Sequence, residues 1–590
     1  MTSMPFFLPK RLLGGDLLDL LSPEERRSAT LIVVWMVVGM VLEMVSVGVV
    51  VPALSVMVGG GRLLADGNLD DWRTRFGGLS PGLILAAGLL GLFMIYLVTT
   101  AVLAFAAWQQ QKFIASVHAG LSHRLYDVYL RQPWTFHLQR NSAVLMTNLD
   151  RVNIVGDAVG WALILLAEGF VLAGMVALLM WFEPVGTLAV CGVAGAAAAV
   201  LGRLTRHRLV RWGKLQEDYA AVRARHMHHG IHGVKESLLR GSAGFLRQFA
   251  AANALFARMT SRRSFVSNLP RLWFELVAVT ALCVLTGAMY LEGKTPRTML
   301  PLLGLFAVAA FRILPSVNRL ATATHMLKYH RPVVDMMHEE LALGRDAVAP
   351  SASSTPLAFD RELVLDQVSY RYPGSSTDTL RDISVRIPAG SSVGIMGISG
   401  AGKSTLIDTM LGLLSPTAGC IRADGVDIAT NVGGWQRLVG YVPQSIYLAD
   451  DTICRNVAFG AADHEIDHLA VRRAIRAAQL DQFVADLPKG LDTLVGERGV
   501  RLSGGQRQRI GIARALYHDP RILVLDEATS ALDDATEREI LAAVNLLHGV
   551  KTLVIVAHRP STVAACETII ELDAGRVARI DRRTETAAAS

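Results

Sequence analysis

Six stretches of this chain are apolar for long enough to cross a lipid bilayer, and this limits its architecture more than any other feature. The runs lie at about 30–58, 80–107, 154–182, 185–205, 267–292 and 298–326. A hydrocarbon core about 30 Å thick takes roughly 20 helical residues, and only helices or closed barrels satisfy their backbone groups inside it. Each run therefore reads as a membrane helix. The third and fourth are separated only by "FEPVG" (Phe182 to Gly186), which predicts a tight helical hairpin. The segments between the second and third runs, and between the fourth and fifth, are long, polar and mostly free of Pro. They predict helices that continue beyond the membrane rather than loops.

Lys and Arg placement sets the orientation. The N-terminal segment, 108–151 and 203–271 together carry 23 of them, from Lys10 to Arg271, against five on the other side (Arg62, Arg73, Arg75, Lys294 and Arg297). Both termini are thus expected in the cytoplasm. The net charge of +7 is accounted for by this topology signal and a lipid-facing rim, so it predicts no nucleic-acid partner. The first apolar run is too long for a signal-peptide core and has no small-residue cleavage site, so it is expected to stay in the protein. The five cysteines (Cys191, Cys283, Cys420, Cys454 and Cys566) lack metal-ligand spacing and read as reduced and structural.

Three charged residues fall near mid-membrane by helical rise: Glu43 in the first run, Glu168 in the third and Arg312 in the sixth. A lone charge there costs several kcal/mol, so such groups face a bundle interior or a water-filled cavity. Two readings stand side by side. Arg312 could pair with a carboxylate only to fix helix register, or it could line a cavity and receive an anionic head group while Glu43 and Glu168 tune the charge.

The composition changes around "LALGRDAVAPSASSTPLAFD" (341–360), a small-residue linker between a membrane domain (1–340) and a soluble domain (361–590). Beyond it, β-rich runs such as "SVGIMGIS", "LVGYVPQS", "RILVLDEA" and "KTLVIVAH" alternate with helical stretches, as a largely parallel α/β sheet requires. "GISGAGKS", Gly397 to Ser404, follows a strand and opens a helix. Its glycines, among them Gly400 and Gly402, let backbone N–H groups curl around a phosphate, together with Ser399 and Thr405 at the loop. Lys403 reaches the β- and γ-phosphates and Ser404 offers a hydroxyl to Mg²⁺. This is a P-loop NTPase pattern, and ATP with Mg²⁺ is the ligand pair it predicts. "RILVLDEATS" ends an apolar strand on Asp526, a Mg²⁺ ligand candidate, and Glu527, a base for the attacking water.

"LSGGQRQRIGIARAL", Leu502 to Leu516, opens a basic helix on a second anion-binding N-terminus. One fold needs one such terminus for its own triphosphate. The second is expected to serve another nucleotide, so that two such domains meet. With this stretch the chain resembles an ATP-binding-cassette (ABC) exporter half-transporter over essentially its whole length. That resemblance implies an α-helical six-span membrane domain fused to an α/β P-loop ATPase domain, with ATP hydrolysis driving transport. It also implies roles for single residues: Tyr372 stacking on adenine, Gln444 contacting Mg²⁺ and the membrane domain, and Ser503, Gly504, Gly505 and Gln506 binding a partner's γ-phosphate. Asp533 would couple the two sites, His558 would be the switch histidine at the γ-phosphate, and the loop around Glu497 would contact coupling helices. With Glu527 and His558 both present, two identical copies would give two active sites. A homodimer is the economical expectation, and a different partner subunit stays open.

In the membrane domain, "QPWTFHLQRNSAVLMTNLDRV" and "GVKESLLRGSAGFLRQF" resemble the coupling segments of flippase-like exporters. His226, His228, His229 and His232 lie close together, and His228 and His232 have the i, i+4 spacing of a metal pair. No carboxylate or cysteine accompanies them and Gly230 is expected to interrupt the helix, so solvated or switch-region histidines are the preferred reading. The first 29 residues hold no cysteine and no room for a peptidase, against an exporter that cleaves peptide cargo. "VLEMVSVGVVVPAL" in the first run is most similar to exporters of the lipid-linked-oligosaccharide flippase type. The expected activity is export or flipping of an amphipathic, lipid-linked anionic substrate across a bacterial cytoplasmic membrane, in contact with membrane lipids. Alternatives are an exporter of a peptide or hydrophobic small molecule, and an ATP-gated channel or regulator. A DNA-repair ATPase shares the signature stretch but fails on the six apolar runs and the missing coiled coil.

Overall fold

A computed structural model describes residues 16–49, 81–182, 184–291, 296–345, 357–527 and 534–583. The chain divides into two compact units, one of Met1–Leu130 with Ala143–Arg345, the other of Arg131–Ser142 with Asp346–Ser590. Arg131–Ser142, although it lies between two membrane helices in sequence, packs with the second unit.

The first unit is helical: α1 (Pro23–Gly48), α2 (Pro81–Leu130), α3 (Val152–Phe182), α4 (Pro184–His232), α5 (Ala243–Leu291) and α6 (Pro296–Ala342). Helix α2 has 50 residues and α4 has 49, so each is about 75 Å long, more than twice the hydrocarbon thickness. The expected polar extensions are thus continuous helix. Among the described residues, three helices are long and apolar enough to span a membrane: Pro23–Gly48, Ala86–Leu130 and Ser142–Trp181. Helix α4 runs unbroken through Gly230 to His232, which corrects the expected interruption. One glycine costs only about 1 kcal/mol in a helix that long, and the surrounding turns absorb it.

Helix α1 starts on a capping box: the Ser22 hydroxyl accepts from Glu25 N–H at 3.3 Å, and Glu25 accepts from Ser22 N–H at 2.6 Å, with Pro23 next in line. Arg124 of α2 donates to the Leu20 carbonyl at 2.5 Å, fastening this start to the second helix. Within the unit α1 packs on α2 and α3, α3 on α6, and α4 on α5. Close approach marks the α1–α3 contact. A Cβ at Gly174 would lie 2.6 Å from the Met44 sulfur. Beside it Glu43 is 4% exposed, so this carboxylate faces the bundle interior, as its position demands.

The second unit contains two sheets. The smaller has the order β2–β1–β4–β5, from β1 (Glu362–Tyr370), β2 (Leu380–Pro388), β4 (Ala418–Ala423) and β5 (Val426–Asp427). The larger has the order β10–β9–β3–β8–β7–β6, from β3 (Ser392–Gly397), β6 (Val439–Val442), β7 (Ile522–Asp526), β8 (Thr552–Val556), β9 (Thr568–Asp573) and β10 (Arg576–Arg582). All neighbours from β9 to β6 are parallel. Strands β7 and β8 are buried at every position, because the sheet is covered on both faces. Their side chains alternate between two cores: Leu523, Leu525, Leu553 and Ile555 join one, Ile522, Val524, Val554 and Val556 the other. In the second core lies Trp435, fully buried, whose indole N–H donates to the Met410 carbonyl at 2.7 Å.

The small sheet depends on a bulge. Register between β1 and β4 slips between Asp366 and Ser369, where Gln367 adopts φ +51°. Opposite it Gly419 has φ +77°, and a Cβ there would sit 2.3 Å from the Gln367 carbonyl oxygen. Gly419→Ala meets both an unfavourable backbone region and immovable backbone atoms. It is expected to destabilise the domain by more than about 1 kcal/mol, read as a lowered thermal midpoint of the purified protein.

Candidate functional site

A parallel sheet brings the carboxyl ends of its strands to one edge, and the register here brings the predicted residues to the same level of that edge. Val442 of β6 pairs with Leu525 of β7, so Gln444 and Glu527 each emerge two residues further on. Asp526 pairs with Val556 of β8, and Val556 with Ile395 of β3, which puts His558 and Gly397 at the same height. The loop after β3 then turns into α7 (Lys403–Met410) through Gly400 at φ +84° and Gly402 at φ +97°. Gly402 has no room for a side chain: its Cβ would lie 3.1 Å from the Thr379 carbonyl oxygen.

The side chains converge accordingly. Lys403 is buried, and its Nζ donates to the Gly397 and Ile398 carbonyls at 2.9 and 3.2 Å. It stands 4.0 Å from Glu527 Oε1. Gln444 Nε2 donates to Glu527 Oε2 at 2.7 Å, while His558 Nε2 lies 2.6 Å from Glu527 Oε1. That distance assigns the proton to His558 Nε2, so the 3.4 Å approach of Lys403 to the same nitrogen is proximity rather than a hydrogen bond. Glu527 has φ +46°, a left-handed backbone held by its N–H donating to the Val556 carbonyl at 3.0 Å. Such strain in a non-glycine residue persists only where its surroundings over-determine it.

Asp526 is 9% exposed and accepts from the Tyr441 hydroxyl at 3.4 Å. Burial, then the Glu527 charge, pushes its carboxyl above the ordinary range, with the Tyr441 hydrogen bond opposing. Burial and the Asp526 charge push the Tyr441 phenol up in turn. Asp408, one turn into α7 from Ser404, is also raised by burial, against a 3.2 Å hydrogen bond from the Trp134 indole N–H. Raised carboxyl values mean that ionising these two groups works against folding as pH climbs above the ordinary carboxylate range. Tyr372 stands over the start of α7, with its hydroxyl 3.2 Å from Thr405 Oγ1 and its ring edge-on to Tyr370 at 5.0 Å. Ser404 is exposed at the mouth of the loop.

The signature residues form a separate terminus, at the start of α9 (Gly504–Leu516), which follows α8 (His468–Ala477). Ser503 and Gln506 close a capping box: the Ser503 hydroxyl accepts from Gln506 N–H at 3.2 Å, and the Gln506 side chain accepts from Ser503 N–H at 2.8 Å. Glu497 is exposed on the preceding turn. Asp533 and the side chain of Arg312 lie outside the described residues. In the membrane unit Glu168 Oε1 accepts from Arg319 Nε at 2.5 Å, so the described partner of this carboxylate is Arg319, two helical turns beyond Arg312 and not weighed from sequence. A heptad spacing from Arg312 was the available signal. Asp408 and Tyr441 were likewise missed; their signals are the i+4 step from Ser404 and the place just before Gln444. All five cysteines are free.

The comparisons with known proteins agree with this geometry. An ABC transporter family model matches residues 380–530. The chain is 31% identical over 513 residues to an ATP-dependent lipid A-core flippase of Alkalilimnicola ehrlichii, covering 84% of each. The chain belongs to the ABC transporter family. An ATP-dependent lipid A-core flippase of Bordetella avium is 30% identical over 522 residues, 86% of this chain and 84% of that one. A bacterial Atm1-family ABC exporter with ATP bound superposes with a TM-score of 0.73 over 94% of this chain and 95% of its own, at 23% identity, and so shares the fold. This ABC transporter is an integral membrane protein and an ATPase that couples hydrolysis to transport, with the exporter fold: a helical membrane domain joined to an ATPase domain. Glu527→Gln keeps the hydrogen-bonding size of the residue and removes its basicity. ATP hydrolysis by the purified protein is expected to fall about a hundredfold or more while ATP binding persists; wild-type turnover would reject Glu527 as the base.

Proposed function

We propose that the protein flips a lipid-linked, anionic amphiphile out of the cytoplasmic leaflet of a bacterial cytoplasmic membrane, as a dimer of two identical copies with both termini in the cytoplasm. The observation that carries the substrate reading is the Glu168–Arg319 pair in the membrane unit. Arg319 leaves its side chain 48% exposed, and the second Glu168 oxygen is buried with no hydrogen-bond partner among the described residues. A pair whose work was only to lock helices would satisfy both partners fully. Here the guanidinium keeps donors for an anionic head group, and charge-assisted, bidentate hydrogen bonds are its strongest mode. Arg312 precedes Arg319 by seven residues on the same helix, and Glu43 is a buried carboxylate of the same unit. The name shared by the relatives, lipid A-core flippase, supports a lipid as the cargo.

In the ATPase domain, Tyr372 stacks on adenine, the N–H groups of Gly397 to Thr405 cradle the phosphates, and Lys403 turns from its loop carbonyls to them. The residues fit Mg²⁺: the Ser404 hydroxyl, the Gln444 amide oxygen and the Asp526 carboxylate are hard oxygen donors, and Asp526 is a carboxylate raised by burial and then by its like-charged neighbour. When bound, Mg²⁺ neutralises charge on the β- and γ-phosphates. Glu527 takes the proton of the attacking water while Gln444 holds one of its oxygens, and with nucleotide bound the His558 Nε2–H turns from Glu527 to the γ-phosphate. Ser503, Gly504, Gly505 and Gln506 serve the partner copy's nucleotide, and Asp533 couples the two sites.

Ser503→Arg therefore keeps ATP binding at that copy's own Lys403 and abolishes turnover. Loss of binding as severe as in Lys403→Ala would mean that the signature serves its own nucleotide. For the substrate, Arg319→Gln is expected to retain basal ATPase activity and thermal stability and to lose stimulation by anionic glycolipids in proteoliposomes. An unstable Arg319→Gln variant, restored in both folding and transport by adding Glu168→Gln, would make the pair structural.

A further inference from the structure

The first two membrane helices leave between them a groove that neither the transport reading nor the hydrolytic one uses. Helices α1 and α2 run antiparallel: a Cβ at Gly39 would meet Leu103 at 2.9 Å, and one at Gly120 would meet Glu25 Oε1 at 3.0 Å. Between these close approaches lies a groove of about 310 Å³, lined among others by Ser28, Leu31 and Trp35 of α1 and by Gln109 and Lys112 of α2. It straddles the level at which the first apolar run begins, about residue 30, and the second ends, about residue 107. The groove therefore sits where hydrocarbon gives way to lipid head groups.

Its two ends differ in chemistry. Toward the apolar runs the Trp35 ring meets Phe105 edge-on at 5.0 Å, one helical turn from exposed Leu31. Leu31 opens a stripe of exposed side chains on one face of α1, continued at helical spacing by Val34, Val38, Val41 and Val45. From Leu31 to Val45 the helix rises about 21 Å, more than half of a hydrocarbon core about 30 Å thick. Buried Glu43 lies on the opposite face of the helix, so the stripe is turned away from the bundle interior.

At the polar end, hydrogen-bond donors collect without partners. The Lys112 ammonium lies 5.8 Å from the centroid of the exposed Trp108 ring and has no carboxylate partner among the described residues. The Ser28 hydroxyl and the Gln109 amide make no hydrogen bond among the described residues either. Ser116 donates its hydroxyl proton to the Phe113 carbonyl at 2.8 Å and so offers only an acceptor. Two neighbouring cations are engaged, Arg26 by Asp19 at 3.5 Å and Arg124 by Glu25 at 3.9 Å. Lys112 is left for a ligand.

We propose that this groove binds an anionic phospholipid, whose phosphate is held by Lys112, Ser28 and Gln109 and whose acyl chain lies along the stripe from Leu31 to Val45. Interfacial indoles at Trp35 and Trp108 mark the level of the head group, and the charge-assisted bond from Lys112 is the strongest of the polar contacts. A lone Lys at a bilayer surface reaches for any head group. Here two further donors beside it select the phosphate and fix its place. The lipid bridges α1 and α2 on the face away from Glu43, so it is a resident of the outer surface and not the cargo.

The test uses the full-length protein in nanodiscs of phosphatidylcholine with a minor fraction of phosphatidylglycerol, one or the other lipid carrying brominated acyl chains. Bromine quenches indole fluorescence on contact, and the Trp35 signal is the difference between the protein and its Trp35→Phe variant. Phosphatidylglycerol is expected to quench Trp35 about fivefold more effectively than phosphatidylcholine, mole for mole, the worth of one Lys at an anionic lipid surface. Lys112→Gln erases this preference and Lys112→Arg keeps it. Ser28→Ala, which changes no charge, also lowers it, and tests the site independently if Lys112→Gln fails to fold. A preference that survives Lys112→Gln, or that is untouched by Ser28→Ala, would mean general attraction to a basic surface and overturn the site. Relief of quenching by inorganic phosphate would make it a site for a free anion. Absence of Trp35 quenching by either lipid would mean that another surface, such as a second copy of the chain, covers the groove, and would overturn the proposal equally.

Discussion

The chemistry of this protein hangs on the pairing of four parallel strands, β3, β8, β7 and β6. The central strands β7 and β8 are nearly continuous runs of Val, Ile and Leu, and burial on both faces leaves little freedom to slip. A register shift of one residue would exchange Leu523 and Leu525 with Ile522 and Val524 between two differently shaped cores. That penalty holds Gly397, Gln444, Glu527 and His558 at one height, although 161 positions separate the first from the last. The left-handed turn at Glu527 sits at the end of a strand buried at every position, where the Val556 carbonyl can hold it. Precision at the site comes from hydrophobic packing behind it.

The membrane unit solves a different problem. Its helices extend far past the apolar layer, so that the apolar stretch and the polar extension of α2 or α4 belong to one continuous helix. Beyond the apolar stretches the helices are tied by buried polar contacts: the Tyr129 hydroxyl donates to Glu340 at 3.1 Å and accepts from the Asn148 amide at 3.2 Å. In the apolar stretches they bury Glu43 and pair Glu168 with Arg319. Buried polar groups of this kind are expensive unless paired, and that expense makes their geometry specific. The same economy governs Asp408 and Asp526, which burial makes reluctant to ionise and which a metal or a donor relieves.

Most of the nucleotide site was legible in the sequence because its residues lie in short local patterns, each with its own physical logic. Gly400 and Gly402 supply backbone angles that other residues avoid; Asp526 and Glu527 follow a strand too apolar to end in solvated acids; Ser503 and Gln506 have capping-box spacing. The long polar extensions of the membrane helices were legible from the near-absence of Pro. Gly230 misled, because a single glycine is weak against the cooperativity of a 49-residue helix. Arg319, Trp134 and Tyr441 stayed hidden because each gains its meaning from a partner more than 80 residues away, and a lone Arg, Trp or Tyr carries no local signature.

The sequence by itself determined that apolar helices must lie in a membrane and that a phosphate-binding loop must follow one buried strand, and it set the expectation that a second helix N-terminus for anions serves a second nucleotide. These follow from periodicity, hydropathy and backbone sterics, all of which act over a few residues. Only the tertiary structure decided which carboxylate meets which cation in the membrane unit, that Gln444 and His558 hold opposite oxygens of Glu527, and that Trp134 reaches Asp408. Side-chain hydrogen bonds act over about 3 Å, and no pattern along a chain specifies which distant residues folding will bring within that reach.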